Sequence, residues 1–430
     1  MTEQAQFTIR VDQNKYLPVG GSEVHAIVTV EATGPLETVA QHAQAAEVII
    51  IDTSTSMATE RIGEARKAAM AAIDTLRDGV HFAIIAGTTK ATMVYPSRKE
   101  MATMNAETRQ AAKNAVSGLI ADGGTAIGTW LRLAADLFDP YQGAVRHAIL
   151  LTDGHNQHES AAQLDAALAY CQGKFVCDCR GVGTGWEVAE LRKIASTLLG
   201  TVQDIPDAKD LEADFRAMAQ QAMGKAVADV ALRIWTPQTA KIRFVKQVSP
   251  TLEDLTGRRV DSGPQSGDYP TGAWGREVRE YHVCIEVTPG GIGQEMRAGW
   301  VKLVQPDTGM QLAAGNILAT WTDDPAQSTR INPRVAHYTG QAELASLIQE
   351  GLQAHREHDF ATATARLGRA RRLAEESGNE ATAKLLDRVL DYDRATGTVR
   401  LKPHIDRASE IALDVGSVRT VRTRRDPDQG

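Results

Sequence analysis

Along residues 7–31 apolar and polar positions alternate: Phe7, Ile9 and Val11 form one series, and Val24, Ala26, Val28 and Val30 a second, with a Pro and Gly-Gly turn region between them. Period two puts every second side chain on one face, so this stretch predicts a pair of half-buried strands. From residue 46 the pattern changes. Short apolar runs (VIIID, HFAIIAG, HAILLTDG, KFVCDCRGVG) alternate with segments of helical spacing, such as Ile62, Ala65, Ala69, Ile73 and Leu76. ETRQAAKNAVSGL, TWLRLAADLF and VAELRKIASTLLG continue the helical series. Near-continuous apolar strands between helices predict a parallel sheet covered on both faces, whose ligands bind beyond the carboxyl ends of the strands.

Alternation returns after about residue 224, in Val230, Leu232 and Ile234, Ile242 and Phe244, Tyr281, Val283, Ile285 and Val287, and NILATWTDD, interrupted by the Gly/Pro-rich TGRRVDSGPQSGDYPTGAWGR. These strands predict a β-sandwich that the N-terminal pair completes across the inserted α/β region. Residues 339–393 read as helices (AELASLIQEGLQAHREHD, FATATARLGRARRLAEES, NEATAKLLDRVLDYD), either tetratricopeptide-like hairpins or a plain three-helix bundle. The expected organisation is therefore multidomain, α/β plus β: sandwich strands in 1–44, a Rossmann-like domain in 45–222, a β-sandwich in 223–332, a helical module in 333–395 and an extended, mobile basic tail in 396–430.

Composition narrows the partners more than the fold. A net charge of −7 with both signs mixed along the chain gives no reason to expect nucleic acid or an anionic membrane. With no basic segment leading into an apolar one at the N-terminus and no long apolar run later, a cytoplasmic location is expected. Cys171, Cys177, Cys179 and Cys284 make no C-x-x-C pair, and Cys177 and Cys179 alternate along one apparent strand, so small buried side chains are expected rather than a metal site.

The candidate chemistry lies at strand ends. VIIIDTSTSM sets Asp52, Ser54 and Ser56 two residues apart directly after a buried run, DGGTAIG presents Thr125 just before a helix, and LTDG ends a strand in Asp153. Carboxylate and hydroxyl oxygens around one point are ligands for a hard divalent cation. In this order and strand context, D-x-S-x-S, G-G-T and T-D-G resemble the metal-ion-dependent adhesion site of von Willebrand factor type A domains, over roughly residues 45–222. The resemblance implies Mg²⁺, with Mn²⁺ as the alternative ion, bound directly by Ser54, Ser56 and Thr125, with Asp52 and Asp153 in or near contact, often through water. It also implies a partner protein that supplies an Asp or Glu to the metal. Thr55 stands where the family often has Gly, but all five ligand positions keep oxygen side chains. Capping of helix N-termini is the competing explanation for these Ser, Thr and Asp residues. Removing Asp52 or Asp153, read as lying at the solvent edge of the sheet, should abolish ion-dependent binding and spare the fold.

His155 and His158, in TDGHNQHES, are expected on the rim of the site, shaping partner choice, rather than binding zinc. With no Walker A loop, nucleophile elbow or poised histidine–carboxylate pair, a non-enzymatic binding role is expected over a metal-dependent hydrolase. Type A domains also serve AAA+ chelatase and cofactor-insertion machines, which leaves a subunit of an ATPase assembly as the alternative. The whole layout, including LPVGGSEVHAIVTV, GTGWEVAELRKIA and RINPRVAHYTGQAELA, resembles actinobacterial cytoplasmic type A proteins, often encoded near Ser/Thr kinases, PP2C phosphatases and forkhead-associated proteins. That resemblance makes Thr420 and Thr423, set among arginines, candidate phosphosites for a Ser/Thr kinase and a forkhead-associated partner, against the plainer reading of a solubilising Arg tail.

Overall fold

The computed structural model describes residues 6–34, 36–58, 60–393 and 398–422. Two compact units emerge: one runs from Gly34 to Asp229 and takes in Gly272–Arg276, and the other combines Gln6–Thr33, Val230–Thr271 and the chain from Glu277 onward. The chain opens with β1 (Gln6–Gln13), β2 (Tyr16–Pro18) and β3 (Glu23–Thr33), all of the second unit.

In the first unit, helix α1 (Leu36–His42) leads into β4 (Ala45–Asp52), α2 (Glu60–Thr75), β5 (His81–Gly87), β6 (Ala91–Tyr95), β7 (Ala102–Thr103), α3 (Ala106–Ser117) and α4 (Ile127–Phe138). Then follow β8 (Val145–Thr152), α5 (Ala161–Cys171), β9 (Val176–Val182), α6 (Val188–Thr197), β10 (Val202–Ile205) and α7 (Leu211–Met223). The sheet order is β10-β9-β8-β4-β5-β6, parallel from β10 to β5, with β6 and β7 both antiparallel to β5. Every residue of β4 and β8 is buried, which is why both read as apolar runs instead of alternating. Ile49, Ile51, Ile84 and Leu151 share one core with Ile62, Ala65 and Ala69 of α2 and Phe215 of α7. At Gly87, pointing away from that core, an added Cβ would lie 2.3 Å from the ring of Trp130 in α4, so the glycine lets the helix lie against the sheet.

Gly200, in the turn before β10, is tighter still: a Cβ there would sit 1.8 Å from the carbonyl oxygen of Cys177. Backbone cannot rotate away as a side-chain tip can. Gly200→Ala is expected to destabilise the first unit by about 1–3 kcal/mol, seen as a lower urea midpoint; an unchanged midpoint would show that the turn relaxes freely.

A polar ladder crosses the same sheet near the N-terminal ends of its strands, at the edge opposite Asp52. His147 of β8 contacts Glu47 of β4 through Nδ1 at 2.8 and 3.0 Å and Asp178 of β9 through Nε2 at 3.0 Å, and Asp178 accepts from the amide and hydroxyl of Thr201. Burial alone would lower His147, but the Glu47 charge and the hydrogen bonds the ring donates to both carboxylates override it and push the imidazole up to about 10.

The second unit is a sandwich of two sheets. Its remaining strands are β11 (Val227–Trp235), β12 (Ala240–Ser249), β13 (Glu253–Asp254), β14 (Val260–Gly263), β15 (Ser266–Trp274), β16 (Val278–Val287), β17 (Glu295–Gln305) and β18 (Met310–Thr322). One sheet has the order β1-β3-β16-β12-β13 and the other β14-β15-β11-β17-β18-β2, so the N-terminal strands contribute to both.

After the short α8 (Pro325–Ser328), helices α9 (Pro333–Arg356), α10 (Phe360–Glu376) and α11 (Glu380–Val389) lead to the hairpin β19 (Leu390–Asp393) and β20 (Thr398–Leu401) and to α12 (Arg407–Gly416). Asn332 caps α9 with Pro333 at its first position, and Val335 and Tyr338 pack on Ile27 and Val248. The tail expected to be extended from residue 396 instead contains α12, capped by Asp406, with Ile411, Leu413 and Val415 buried and Arg356 of α9 bonded to Glu410 and Asp414. Its apolar residues fall at helical spacing within DRASEIALDVG, a pattern the basic residues beyond it obscure. Thr423 lies outside the described residues. Among those described, no helix is long and apolar enough to cross a membrane.

Candidate metal-ion site

Asp52 is the last residue of β4, and the chain leaves the sheet as a single 3-10 turn, Thr55–Met57. The carboxylate folds back on this exit: Oδ1 accepts the Ser54 amide at 2.8 Å and Oδ2 accepts the Thr152 hydroxyl at 2.6 Å. Ser54 Oγ lies 2.9 Å from Ser56 Oγ, whose hydroxyl donates to Asp153 Oδ1 at 2.6 Å. Two strand ends are thereby tied together through side-chain oxygens.

The third loop arrives through backbone bonds. Asp122 N donates to Thr53 O at 2.7 Å, and the amide and hydroxyl of Thr55 both donate to Gly123 O, at 2.9 and 3.0 Å. Thr55 therefore fixes the D-x-S-x-S loop against the glycine loop. A Cβ added to Gly154 would lie 3.3 Å from Ser56 Oγ and 3.9 Å from Thr125 Oγ1, which locates Thr125 beside the other oxygens.

Capping does not account for these residues. Ser54 precedes the 3-10 turn without a side-chain cap bond, and the N-cap of α4 is Ala126, which has no side chain for the task. The α4 amides are satisfied from the loop after β8: Ile127 N donates to Asn156 Oδ1 at 2.9 Å and Gly128 N to Glu159 Oε2 at 2.8 Å.

All five residues named from sequence, Asp52, Ser54, Ser56, Thr125 and Asp153, thus meet at one end of the sheet. Their exposure differs from expectation. Asp52 is 0% and Asp153 1% exposed, so both are enclosed rather than set at a solvent edge, because neighbouring loops fold over the strand ends. Burial pushes the Asp52 carboxyl above its ordinary value against the hydrogen bonds from Ser54 and Thr152, and the Asp153 charge adds to the rise. The oxygen set fits a hard divalent cation: two buried carboxylates and three hydroxyls, with Asp52 partnered only by neutral groups.

Sequence reading missed two contributors: Thr152 holds Asp52, and Arg61 of α2 pairs with Asp153. His158, expected on the rim, lies beside the site, where its Nδ1 accepts the Thr125 amide at 3.1 Å. Thr152 precedes Asp153 within LTDG and was legible as a neighbouring hydroxyl, whereas Arg61 reads as an ordinary exposed helix residue. His155 instead approaches Glu187 at 3.6 Å, so the two histidines have separate partners in a segment that is not helical. A histidine–carboxylate set does exist, at Glu47, His147 and Asp178, but with both ring nitrogens engaged and at the far edge of the sheet. All four cysteines are buried and unpaired.

The von Willebrand factor type A domain model matches residues 46–204, and the model of a von Willebrand factor type A C-terminal domain matches 372–417, which takes in α12. The structure of a von Willebrand factor type A protein from Catenulispora acidiphila is 51% identical, covers 98% of each chain and superposes with a TM-score of 0.94. The ArnB paralog VWA2 from Sulfolobus acidocaldarius shares the fold at 13% identity, covering 96% of this chain and 98% of its own, with a TM-score of 0.59. An uncharacterized Synechocystis protein is 27% identical over 215 residues, 48% of this chain, and the chain spans about half the length of that curated relative, 49%. Type A domains are often modules of metal-dependent protein interaction and are mostly non-catalytic. With near-complete coverage at 51% identity, the chain belongs to the von Willebrand factor type A domain proteins.

Proposed function

We propose that this protein is a non-enzymatic adaptor that binds a partner protein through a divalent cation, Mg²⁺ in the first instance, held by Ser54, Ser56 and Thr125 with Asp52 and Asp153. The observation that carries the reading is the convergence of three loops, those after β4 and β8 and the one between α3 and α4, on one cluster of side-chain oxygens. A cation held largely by neutral hydroxyls keeps enough charge to take up a carboxylate oxygen from outside. The partner is accordingly a protein that presents an Asp or Glu. Arg61 adds a positive group next to Asp153, which favours an acidic approach.

The phosphorylated-tail alternative is less favoured at Thr420, whose hydroxyl donates to Val248 O at 2.6 Å and Pro250 O at 3.2 Å, so a kinase would first have to release it. Because Asp52 also organises the loop backbone, the cleaner test removes hydroxyls. Wild type, Ser56→Ala and Thr125→Ala are used as baits in lysate, each with Mg²⁺ and with EDTA. A protein retained only by wild type in Mg²⁺ is the expected result; identical retention in every arm would overturn metal-bridged binding.

A further inference from the structure

The sandwich carries a second cluster of metal-ligand chemistry, on β3 and β16. These strands are antiparallel with His25 opposite Cys284, Glu23 opposite Glu286 and Ile27 opposite His282. By strand alternation Glu23, His25 and Ile27 share a face with His282, Cys284 and Glu286. At Ile27 that face is covered by Val335 and Tyr338 of α9. Towards Glu23 it opens: the Glu23 side chain is 50% and that of His25 31% exposed, while Cys284 is 2% exposed.

Cys284 Sγ lies 3.8 Å from His25 Nε2, Nε2 lies 3.9 Å from Glu23 Oε2, and the three ligand atoms are all within 4.8 Å of one another. Tetrahedral zinc, with its usual bond lengths to sulfur and nitrogen, holds neighbouring ligand atoms about 3.5 Å apart. Rotation of the half-exposed Glu23 closes most of the difference. His25 Nδ1 is 3.1 Å from His282 Nε2, and when Nδ1 carries the proton it donates to His282 and leaves the Nε2 lone pair facing Cys284. That is the orienting bond which zinc-binding histidines make through their second nitrogen. Phe244 packs edge-on against His282, with ring centroids 4.9 Å apart, and holds it in place. Two positive groups lie near: Arg243, 4.0 Å from Glu23 and 3.3 Å from Glu286 with a side chain 54% exposed, and Lys246, opposite His282 in the β12–β16 register with its ammonium over the Phe244 ring.

We propose that Glu23, His25 and Cys284 bind Zn²⁺, with water in the fourth position and His282 as the residue that positions His25. On binding, the Cys284 thiol gives its proton to solvent and sulfur bonds the ion; no oxidation is involved. The soft sulfur and the imidazole select Zn²⁺ over Mg²⁺, the reverse of the all-oxygen site at Asp52. The two sites are therefore chemically separable.

Titration of the full chain with Co²⁺ tests the site, because only a cysteine ligand gives a near-ultraviolet thiolate-to-cobalt charge-transfer band. The band is expected to saturate at one equivalent, to vanish in Cys284→Ser, to persist in Asp153→Asn and to be bleached by Zn²⁺ but not by excess Mg²⁺. His282→Asn, which leaves the three ligands in place, should weaken binding by about 10–100-fold. Glu23→Gln, at a half-exposed position that cannot unfold the sheet, should weaken it as well. Absence of the band in wild type, its survival in Cys284→Ser, or unchanged affinity in Glu23→Gln would overturn the three-ligand site.

Discussion

Replacing His147 by alanine is expected to lower the stability of the first unit by about 3–5 kcal/mol, the cost of breaking a buried ion pair by removing one partner. The substitution leaves Glu47 and Asp178, on the two strands that flank β8, without the cation between them. Exchange of the β4 and β8 amides in native conditions reads the loss directly. The pH dependence gives a second readout. His147 is raised to about 10 in the fold from an ordinary value of 6.5, so its contribution is complete below 6.5 and is lost as pH rises through 10. Asp178 behaves oppositely: burial alone would raise it, but the hydrogen bond and charge of His147, with the charge of Arg180, hold it below its ordinary 3.8, so its contribution is present above that value and lost on acidification. Wild type should therefore weaken between pH 6.5 and 10, whereas in His147→Ala the decline should begin lower, as Glu47, which burial already holds above its ordinary 4.5, ionises without a cation beside it. A loss below about 1 kcal/mol, the range of an exposed pair, or an unaltered alkaline decline would show that the ladder is not a charged one.

Asp153→Asn should lower Mg²⁺ affinity at least about a hundredfold, measured by calorimetry. Unit charges about 4 Å apart interact by roughly 4 kcal/mol at an effective dielectric constant of 20, and the cation is divalent, so the estimate allows for screening. Asparagine keeps the size of the side chain and an oxygen to accept from Ser56, which isolates charge from shape. The variant also leaves Arg61 beside the site without its carboxylate, an added repulsion towards any cation. Affinity within about threefold of wild type, less than 1 kcal/mol, would place the ion away from Asp153.

The parts of the molecule legible in sequence were those whose pattern is local. β4 and β8 are buried along their whole length, so their runs of Val, Ile and Leu could be read without knowing their neighbours. The oxygen ligands were legible because Asp52, Ser54, Ser56 and Asp153 directly follow apolar strands, Thr125 follows a Gly-Gly pair just before a helix, and the three fragments keep their order. Helix α5, AAQLDAALAYC, has apolar residues on nearly every side and gives little periodicity, while β6 and β7 are short and lie against β5 at the sheet's antiparallel edge. What stayed hidden depends on pairs far apart in the chain. Glu47 and His147 are 100 residues apart, and His25 and Cys284 are 259. In sequence nothing in the strand around each marks its partner; only strand register brings them together. The enclosure of Asp52 was missed for the same reason, since the loops that cover it come from elsewhere.

The way α4 begins has a consequence for how the metal-ion site can respond. Its first amides depend on Asn156 and Glu159, in the same loop whose start carries Asp153. Swinging that loop outward would strand two buried donors, at about 1–3 kcal/mol each. An incoming carboxylate would then meet a surface shaped in advance, with little ordering left to be done on contact. Selection among partners is expected to show mainly in how long each stays bound, with arrival rates nearly alike.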